Sequence, residues 1–254
     1  AEEGLREALC TLGNGYFVTR GAAAEASADD VHYPGTYVAG GFDRLVSKVA
    51  GRDVENEDLV NLPNWLPLTF RLGDGSWFDL AAVDVRRYRQ ELDLRRGVLS
   101  RTVVFRDGAG HETELRERRF VSMADKNVAG IETTLVAHGW SGPVTVLSAL
   151  DGTVVNAGVP RYRDLAGDHL EPVATWSDGA ATAGLVVETK QSRIRVAQAA
   201  RTRPRRGGEA LDAGVTAVVE RPGFIGLQIT AELRSGEPLT LEKMVTFFSS
   251  REHA

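Results

Sequence analysis

Few side chains in this sequence have the types and spacing that catalysis requires. His169 and Glu171 are two residues apart, and on a strand their side chains would share one face. An imidazole and a carboxylate in that position could serve as the acid and base of a mutarotase-like sugar epimerase. The alternative is that both are polar residues flanking a loop, and the scarcity of supporting residues favours this alternative.

A second candidate is the loop from Asn61 to Pro67, in which two prolines stiffen a segment that carries Trp65 and the amide of Asn64. Indole faces stack on the C–H surfaces of sugars and amides bond their hydroxyl groups, which is the chemistry of a carbohydrate site. A tryptophan buried at the end of a β-sandwich would give the same pattern, and this structural interpretation is slightly favoured.

Other kinds of site lack their motifs. The five histidines form neither an HxH nor an HExxH pattern, and Cys10 is the single cysteine, so we expect no metal site and no disulfide. Leu12–Tyr16 lacks the lysine and hydroxyl of a phosphate-binding loop, and no GxSxG motif is present. Four arginines within Arg201–Gly208 could bind an anion, although a solvated hairpin tip is favoured. We therefore expect no cofactor.

The composition excludes several classes of protein. Of 254 residues, 43% are hydrophobic and 26% charged, as in an average globular protein. With 30 basic against 35 acidic residues the net charge is −5, which argues against a nucleic-acid partner. No apolar run reaches the length of a membrane span, and the acidic start is unlike a signal peptide. These features favour a cytoplasmic protein with no membrane association.

The elements that must position these residues are nearly all strands. Charged side chains at every second position from Arg87 to Arg95 predict a half-buried strand, and Gly13-Asn14-Gly15 predicts a turn into a strand over Tyr16–Arg20. Helical spacing is confined to Glu2–Leu12. Further alternating runs predict strands over Leu66–Leu72, Val98–Asp107, His111–Ser122, Val128–Ala137, Val144–Leu150, Leu185–Lys190, Ile194–Ala200, Val215–Glu220, Phe224–Ala231 and Leu239–Ser249.

So many half-apolar strands must cover one another, and the turns between them are too short for helical crossovers. The sequence thus predicts an all-β fold, a large antiparallel two-sheet sandwich. No linker divides the chain, so residues 1–254 are interpreted as one domain. Ala22–Pro34 and Asp151–Trp176 are interpreted as long irregular loops, where binding surfaces usually lie.

Several segments, in this order, resemble the amino-terminal domain of family 65 glycoside hydrolases, which include trehalose, maltose, kojibiose and nigerose phosphorylases. Each segment alone is weak, but the ordered set is specific and extends over about two thirds of the chain. The segments are Arg6–Gly21, Tyr33–Gly40, Glu57–Trp65, Leu92–Leu99, Arg119–Asp125, Trp140–Val144, Asp151–Gly158 and Arg161–Leu165.

The resemblance implies a β-supersandwich of the galactose-mutarotase-like type. In that family an (α/α)6 barrel follows this domain and cleaves an α-linked glucose disaccharide with inversion, with inorganic phosphate as co-substrate in the phosphorylases and water in the hydrolases. The sequence has no counterpart of that catalytic barrel or of its general acid, so we expect a truncated segment with no catalytic residue.

The resemblance also assigns the domain partners. The first hypothesis is a non-catalytic domain that packs on the barrel and helps to shape either its mouth, where the disaccharide binds, or a homodimer interface. Arg20, Asn61, Asn64 and Trp65 are the candidates for the surface that faces the barrel. Trp65 is expected in an exposed apolar patch. The rival hypothesis is a self-sufficient carbohydrate-binding or epimerase domain of the same fold.

Overall fold

The structure is a computed structural model that describes residues 2–157 and 165–253. It is 58% strand and 5% helix, which confirms the predicted all-β class. The helix α1 spans Glu3–Leu9. The strands are β1 (Leu12–Gly13), β2 (Phe17–Thr19), β3 (Thr36–Val38), β4 (Phe42–Val49), β5 (Arg52–Leu59), β6 (Leu68–Leu72), β7 (Asp84–Asp93), β8 (Val98–Arg106), β9 (Glu112–Val121), β10 (Val128–His138), β11 (Gly142–Asp151), β12 (Leu170–Ser177), β13 (Thr182–Thr189), β14 (Arg195–Arg206), β15 (Glu209–Ala210), β16 (Val215–Arg221), β17 (Phe224–Leu233) and β18 (Leu239–Ser249).

The larger layer is a nine-stranded antiparallel sheet in the order β12-β13-β14-β18-β10-β9-β8-β7, with β15 added to β14. Strands β9 and β18 of this sheet alternate between buried and accessible residues. In β18, for example, Leu241, Val245 and Phe247 are buried while Met244 and Phe248 are exposed. This alternation directs one face of the sheet into the core.

The second layer is a four-stranded sheet in the order β16-β17-β11-β6. Its residues Val144, Leu150 and Ile225 belong to one hydrophobic core with Leu135 and Val245 of the larger sheet. The two sheets therefore form the predicted sandwich, because each covers the apolar face of the other.

One buried lysine spans the sandwich. Lys243 of β18 is fully buried, and its amino group donates hydrogen bonds to the carbonyl oxygens of Pro67 at 3.0 Å and Ala149 at 2.7 Å. Burial alone lowers the pKa of Lys243 to about 7. Beside it, the hydroxyls of Ser148 and Thr202 lie 2.7 Å apart. Polar contacts thus fix how the two sheets stack.

Two small sheets complete the described fold, β1-β2-β3 and the hairpin β4-β5. The predicted turn at Gly13-Asn14-Gly15 is present, with Gly15 at φ 84°. The Asn14 amide donates to the carbonyl oxygens of Ser122 at 2.7 Å and Lys126 at 2.9 Å. Phe17 of β2 stacks on Phe247 with ring centroids 5.1 Å apart. The N-terminal segment is thereby joined to the larger sheet.

Three predicted element boundaries are wrong. The helix ends at Leu9 rather than Leu12, because Leu12 is buried and pairs with Thr19 as the start of β1. The segment Leu170–Ser177, predicted as irregular, is an edge strand of the larger sheet. The strand predicted over Ile194–Ala200 continues through the arginines to Arg206.

The arginine-rich segment is consequently a strand rather than a loop, and only its end forms a hairpin turn. Exposed Arg201 and Arg203 alternate with buried Thr202 and Pro204, and the turn itself is formed by the next two glycines. Residues 158–164, which hold most of the Arg161–Leu165 motif, lie outside the described residues. In the part of the chain that the structure describes, no helix is both long and apolar enough to cross a membrane.

Candidate functional site

Arg20, Asn61, Asn64, Trp65 and His169 lie in loops at one end of the sandwich, which we call the loop end. Backbone hydrogen bonds join these loops: the Asn64 N–H donates to the Asp151 carbonyl at 2.7 Å, and the Lys190 N–H donates to the His169 carbonyl at 2.9 Å. The loop end comprises residues 20–41, 60–67, 151–157, 165–169 and 190–194.

Arg20 follows β2 and ties the N-terminal helix to the first loop. Its guanidinium lies 3.6 Å from the carboxylate of Glu7, which is fully buried. It also donates hydrogen bonds of 2.9 Å to the carbonyl oxygens of Tyr33 and Gly4. The side chain is 22% exposed. Arg20 therefore organises this loop while part of it still reaches the surface.

The same region brings together three groups whose proximity the sequence did not reveal. Ligand atoms of Glu3, Glu7 and His32 lie within 4.8 Å of one another, and His32 Nδ1 is 3.0 Å from Glu7 Oε1. The Arg20 guanidinium at the other oxygen of Glu7 opposes a cation there. We assign no metal to this cluster. Sequence spacing could not indicate it, because folding joins a helix to a distant loop.

Asn61 is a buried clamp between two loops. Its Oδ1 accepts the N–H of Thr36 at 3.0 Å, while its amide donates to the carbonyl oxygens of Pro34 and Val155, both at 3.3 Å. The Asn61 N–H in turn donates to the Asn156 side chain at 2.7 Å. These side-chain hydrogen bonds are all made to other residues of the domain. Asn61 is only 2% exposed and does not lie at the surface.

Asn64 and Trp65 are also buried, and the expectation that Trp65 lies in an exposed patch is wrong. Trp65 is 0% exposed, and its neighbours Leu62 and Leu66 are 1% exposed. Pairing of the Asn64 backbone with Asp151 fixes the loop against the end of β11 and turns the indole into the core. The indole Nε1 has no hydrogen-bond partner among the described residues. Contact of this loop with a barrel stays a prediction.

The acid–base pair considered as an alternative for His169 and Glu171 does not form. His169 is 1% exposed, with Nδ1 3.1 Å from Asp43 and Nε2 3.3 Å from Asp58. Glu171 is exposed and lies 3.5 Å from the guanidinium of Arg193. His169 precedes β12, so it packs beneath the β4-β5 hairpin instead of sharing a strand face with Glu171. The less favoured interpretation, an epimerase acid–base pair, is therefore wrong. The favoured one, polar surface residues flanking a loop, holds for Glu171 but not for His169, which is buried.

Asp43 is the centre of this second buried cluster. Besides His169 it accepts the backbone N–H of Ser192 at 2.6 Å and that of Gln191 at 3.2 Å. Burial opposes its ionisation, but these donors outweigh burial and hold the pKa of Asp43 below its usual value. One face of the β4-β5 hairpin is thereby bonded to the loop at residues 190–194.

The other face of the hairpin is exposed. Phe42 and Leu59 are cross-strand partners that are 47% and 39% exposed, and Val46 on the same face is 54% exposed. Around them the Arg44 guanidinium lies 3.4 Å from Glu55. Apolar side chains ringed by charges are typical of a surface that contacts another protein segment.

A buried ion pair fastens the loop at residues 22–34 over the larger sheet. The Arg101 guanidinium of β8 donates to both oxygens of Glu25, at 2.7 and 2.6 Å, and to Glu117 at 3.1 Å. Burial opposes ionisation of Glu25, but Arg101 outweighs it and lowers the pKa of that carboxyl. The predicted irregular loop therefore has one fixed conformation.

The geometry of the loop end supports positioning rather than catalysis. Its buried carboxylates each have a cationic or N–H partner within the chain: Glu7 with Arg20, Glu25 with Arg101, and Asp43 with Ser192. Groups paired in this way hold the loops of this end in place. What the arrangement offers is a rigid surface with an exposed apolar face on β4-β5.

Comparison with known proteins decides the family. The family model described as "Glycosyl hydrolase family 65, N-terminal domain" matches residues 1–254. The chain belongs to this family. The resemblance seen in the ordered sequence segments is thereby confirmed.

Relatives of this family 65 domain are much longer. An uncharacterized glycosyl hydrolase of Mycobacterium tuberculosis is 44% identical over 253 residues, which are 100% of this chain and 19% of the relative. A kojibiose phosphorylase of Halothermothrix orenii is 30% identical over 97% of the chain and 29% of its own length. A trehalose 6-phosphate phosphorylase of Lactococcus lactis is 33% identical over 78% of the chain and 24% of its own length. The chain thus spans less than a third of each of these relatives.

The fold of the family 65 domain also matches a solved structure. A putative kojibiose phosphorylase from the human microbiome aligns with a TM-score of 0.83 and 18% identity, covering 98% of this chain and 31% of that one. At this identity the match establishes the fold alone, and it agrees with the supersandwich predicted from the resemblance.

Proposed function

We propose that this chain is the non-catalytic amino-terminal domain of a family 65 enzyme, and that it packs on the catalytic barrel of the same polypeptide and shapes its mouth. The observation that carries the proposal is the exposed apolar face of β4-β5, which we call the hairpin face and define as Phe42, Val46 and Leu59. The length of the relatives supports the proposal, because the chain spans between 19% and 29% of the length of each of the three relatives described above.

The hairpin face is suited to receive another domain because the loop end holds it rigidly. On its inner side Asp43 is hydrogen-bonded to His169 Nδ1 at 3.1 Å and to the N–H of Ser192 at 2.6 Å, and the Ser47 hydroxyl accepts the N–H of Ala166 at 2.7 Å. Interfaces between domains resemble transient protein interfaces, with an apolar centre and a polar rim. Burial of Phe42, Val46 and Leu59 in such a contact would remove their apolar surface from water.

The reaction we propose for the whole polypeptide is cleavage of an α-linked glucose disaccharide with inversion, by phosphate or by water. Relatives named kojibiose, trehalose 6-phosphate and maltose phosphorylases support this substrate class. Inorganic phosphate is then a co-substrate, and inversion at an α-linkage releases the β-anomer. The homodimer and the cytoplasmic location stay predictions.

Amide hydrogen exchange tests the docking surface. The rate at β4 and β5 is compared between the 254-residue chain and the longer polypeptide that contains it. We expect strong additional protection over Phe42–Leu59 in the longer polypeptide, and little change at Phe248, which is equally exposed on the outer face of the larger sheet. Unchanged exchange at the hairpin face would contradict the proposed interface.

A matched pair of substitutions extends this test. Phe42→Asp in the longer polypeptide should remove the protection and lower disaccharide cleavage, whereas Phe248→Asp should leave both near the parent level. Equal effects of the two variants would mean that the hairpin face has no special part in docking.

A further inference from the structure

The end of the sandwich opposite the loop end contains a groove of about 590 Å³. Three connections between strands contribute to it, within residues 73–83, 107–111 and 140–143. Its volume lies within the range of small-ligand sites, about 300–1,000 Å³. None of the candidate residues of the loop end lines it, so the groove is a separate feature of the fold.

Two of the four tryptophans of the chain line this groove. Trp77 is half-buried under the Arg71 guanidinium, which lies 5.2 Å from its ring centroid. Trp140 is half-buried against His111, with ring centroids 4.6 Å apart and planes at 19°, and its Nε1 donates to the Glu112 carbonyl at 2.9 Å. Each indole plane is therefore fixed before any ligand arrives, which reduces the entropy lost on binding.

The floor beneath the indoles is apolar. Phe70 and Phe78 stack with centroids 4.8 Å apart, and Phe105 lies 4.8 Å from Phe78. All three are buried and line the groove. Of the aromatic residues that line the groove, the two half-buried indoles are therefore the ones that offer surface to a ligand.

The rim of the groove is polar and has both donors and acceptors. Asp107 lies 3.2 Å from Nδ1 of His111 and so fixes the imidazole, with Nε2 as its second polar atom. The buried Nε of Arg71 has no partner within residues 2–157 and 165–253. Asp74 and Asp79 add carboxylates at the edge. Three carboxylates against one guanidinium disfavour phosphate-bearing ligands such as nucleotides.

We infer that this groove, formed around Trp77 and Trp140, binds a glucose-configured ring of a neutral oligosaccharide. A glucose ring carries its hydroxyl groups equatorially, so it presents flat C–H faces to an indole and hydroxyls to a polar rim. The site is non-catalytic and binds sugar at the end of the domain remote from the hairpin face. It would hold an oligosaccharide independently of the proposed barrel contact.

Fluorine NMR of the 254-residue chain labelled with 5-fluorotryptophan tests the inference, because the chain has four tryptophans in four different environments. The probes are maltose, maltoheptaose and cellobiose. We expect the resonances of Trp77 and Trp140 to shift on titration, while those of buried Trp65 and of Trp176, which is 46% exposed elsewhere, stay in place.

Substitution then identifies the groove as the site. Trp77→Ala should weaken binding by about tenfold or more, and the control Trp176→Ala should leave it unchanged. Trp77 is not part of the hydrophobic core cluster, so this variant should keep the parent's circular dichroism spectrum. Trp140→Phe, which keeps an aromatic ring, provides a second variant with an intermediate loss.

Two results would overturn the inference. One is the absence of any shift at Trp77 and Trp140 with all three sugars at tens of millimolar. The other is binding that survives Trp77→Ala and Trp140→Phe unchanged. Neither result bears on the docking of the hairpin face, so the two proposals fail separately.

Discussion

Replacement of Lys243 by methionine should change how the stability of this domain depends on pH. Lys243 is fully buried and its pKa falls from 10.5 to about 7 because burial disfavours the charged amine. In the unfolded chain the same lysine titrates near its ordinary value. Between pH 7 and pH 10.5 the unfolded state therefore binds more protons at this site than the folded state.

The sign of the effect follows from this difference in bound protons. The free energy of unfolding should rise with pH by about 1.4 kcal/mol per unit within that window. The full difference between the two pKa values corresponds to about 5 kcal/mol. This stabilisation is gained as the pH rises towards 10.5. It is absent below pH 7, where Lys243 is protonated in both the folded and the unfolded chain.

Urea unfolding followed by tryptophan fluorescence measures this dependence at pH 7.5, 8.5 and 9.5. The parent should gain about 2–3 kcal/mol across these values, while Lys243→Met should lack this gain. Lys48→Met is the matched control, because Lys48 is 76% exposed and paired only with Asp53 on the surface. Parallel pH profiles for the parent and Lys243→Met would refute the claim that a neutral buried amine spans the two sheets.

Two further substitutions test the packing at the loop end. Trp65→Ala should lower the free energy of unfolding, measured by urea unfolding, by about 3–5 kcal/mol, as loss of a core aromatic does. Trp176→Ala should cost less than about 1 kcal/mol, and similar costs for the two variants would contradict the burial of Trp65. Glu25→Gln should cost about 1.5–3 kcal/mol, because it removes a charged partner from buried Arg101, which keeps Glu117 at 3.1 Å. Glu55→Gln, in an exposed pair, should cost about 0.5 kcal/mol. Equal losses for the two variants in urea unfolding would show that this contact does not fasten the loop at 22–34.

The strands that could be predicted from sequence are those with one buried face. Leu239–Ser249 places Leu239, Leu241, Val245 and Phe247 at every second or fourth position of one buried face, and its predicted bounds equal those observed. The hairpin β4-β5 was missed because its inner face is polar: Asp43, Ser47 and Asp58 are directed inward to bond loops, so no apolar alternation exists to detect. Period-two patterns report apolar burial, and this hairpin buries polar groups.

The edge strand β7 shows a second limit of prediction from alternating patterns. Arg87–Arg95 was predicted as half-buried, but β7 is the outermost strand of its sheet and is mostly exposed. Charged side chains on an edge strand protect it from pairing with another chain, and they carry no information on burial. Sequence position alone does not tell which strand becomes an edge.

At the candidate site, the residue types indicated which residues are unusual but not what those residues do. Asn61, Asn64 and Trp65 were singled out correctly as unusual, yet each is used inside the domain, and only partly exposed Arg20 reaches the surface. The contacts that decide this join residues far apart in the chain, such as Asn61 to Val155 and Asn64 to Asp151. The groove at Trp77 and Trp140 could not be predicted either, because three separate turns form it.

The central claim, that this domain contributes surface and not chemistry, is tested most directly by an activity assay of the 254-residue chain. Trehalose, maltose and kojibiose are incubated with it in phosphate buffer, and the release of glucose and glucose 1-phosphate is followed over time. The account predicts rates equal to those of a buffer blank for all three sugars. Turnover above the blank that is abolished by a single substitution within this chain would contradict it.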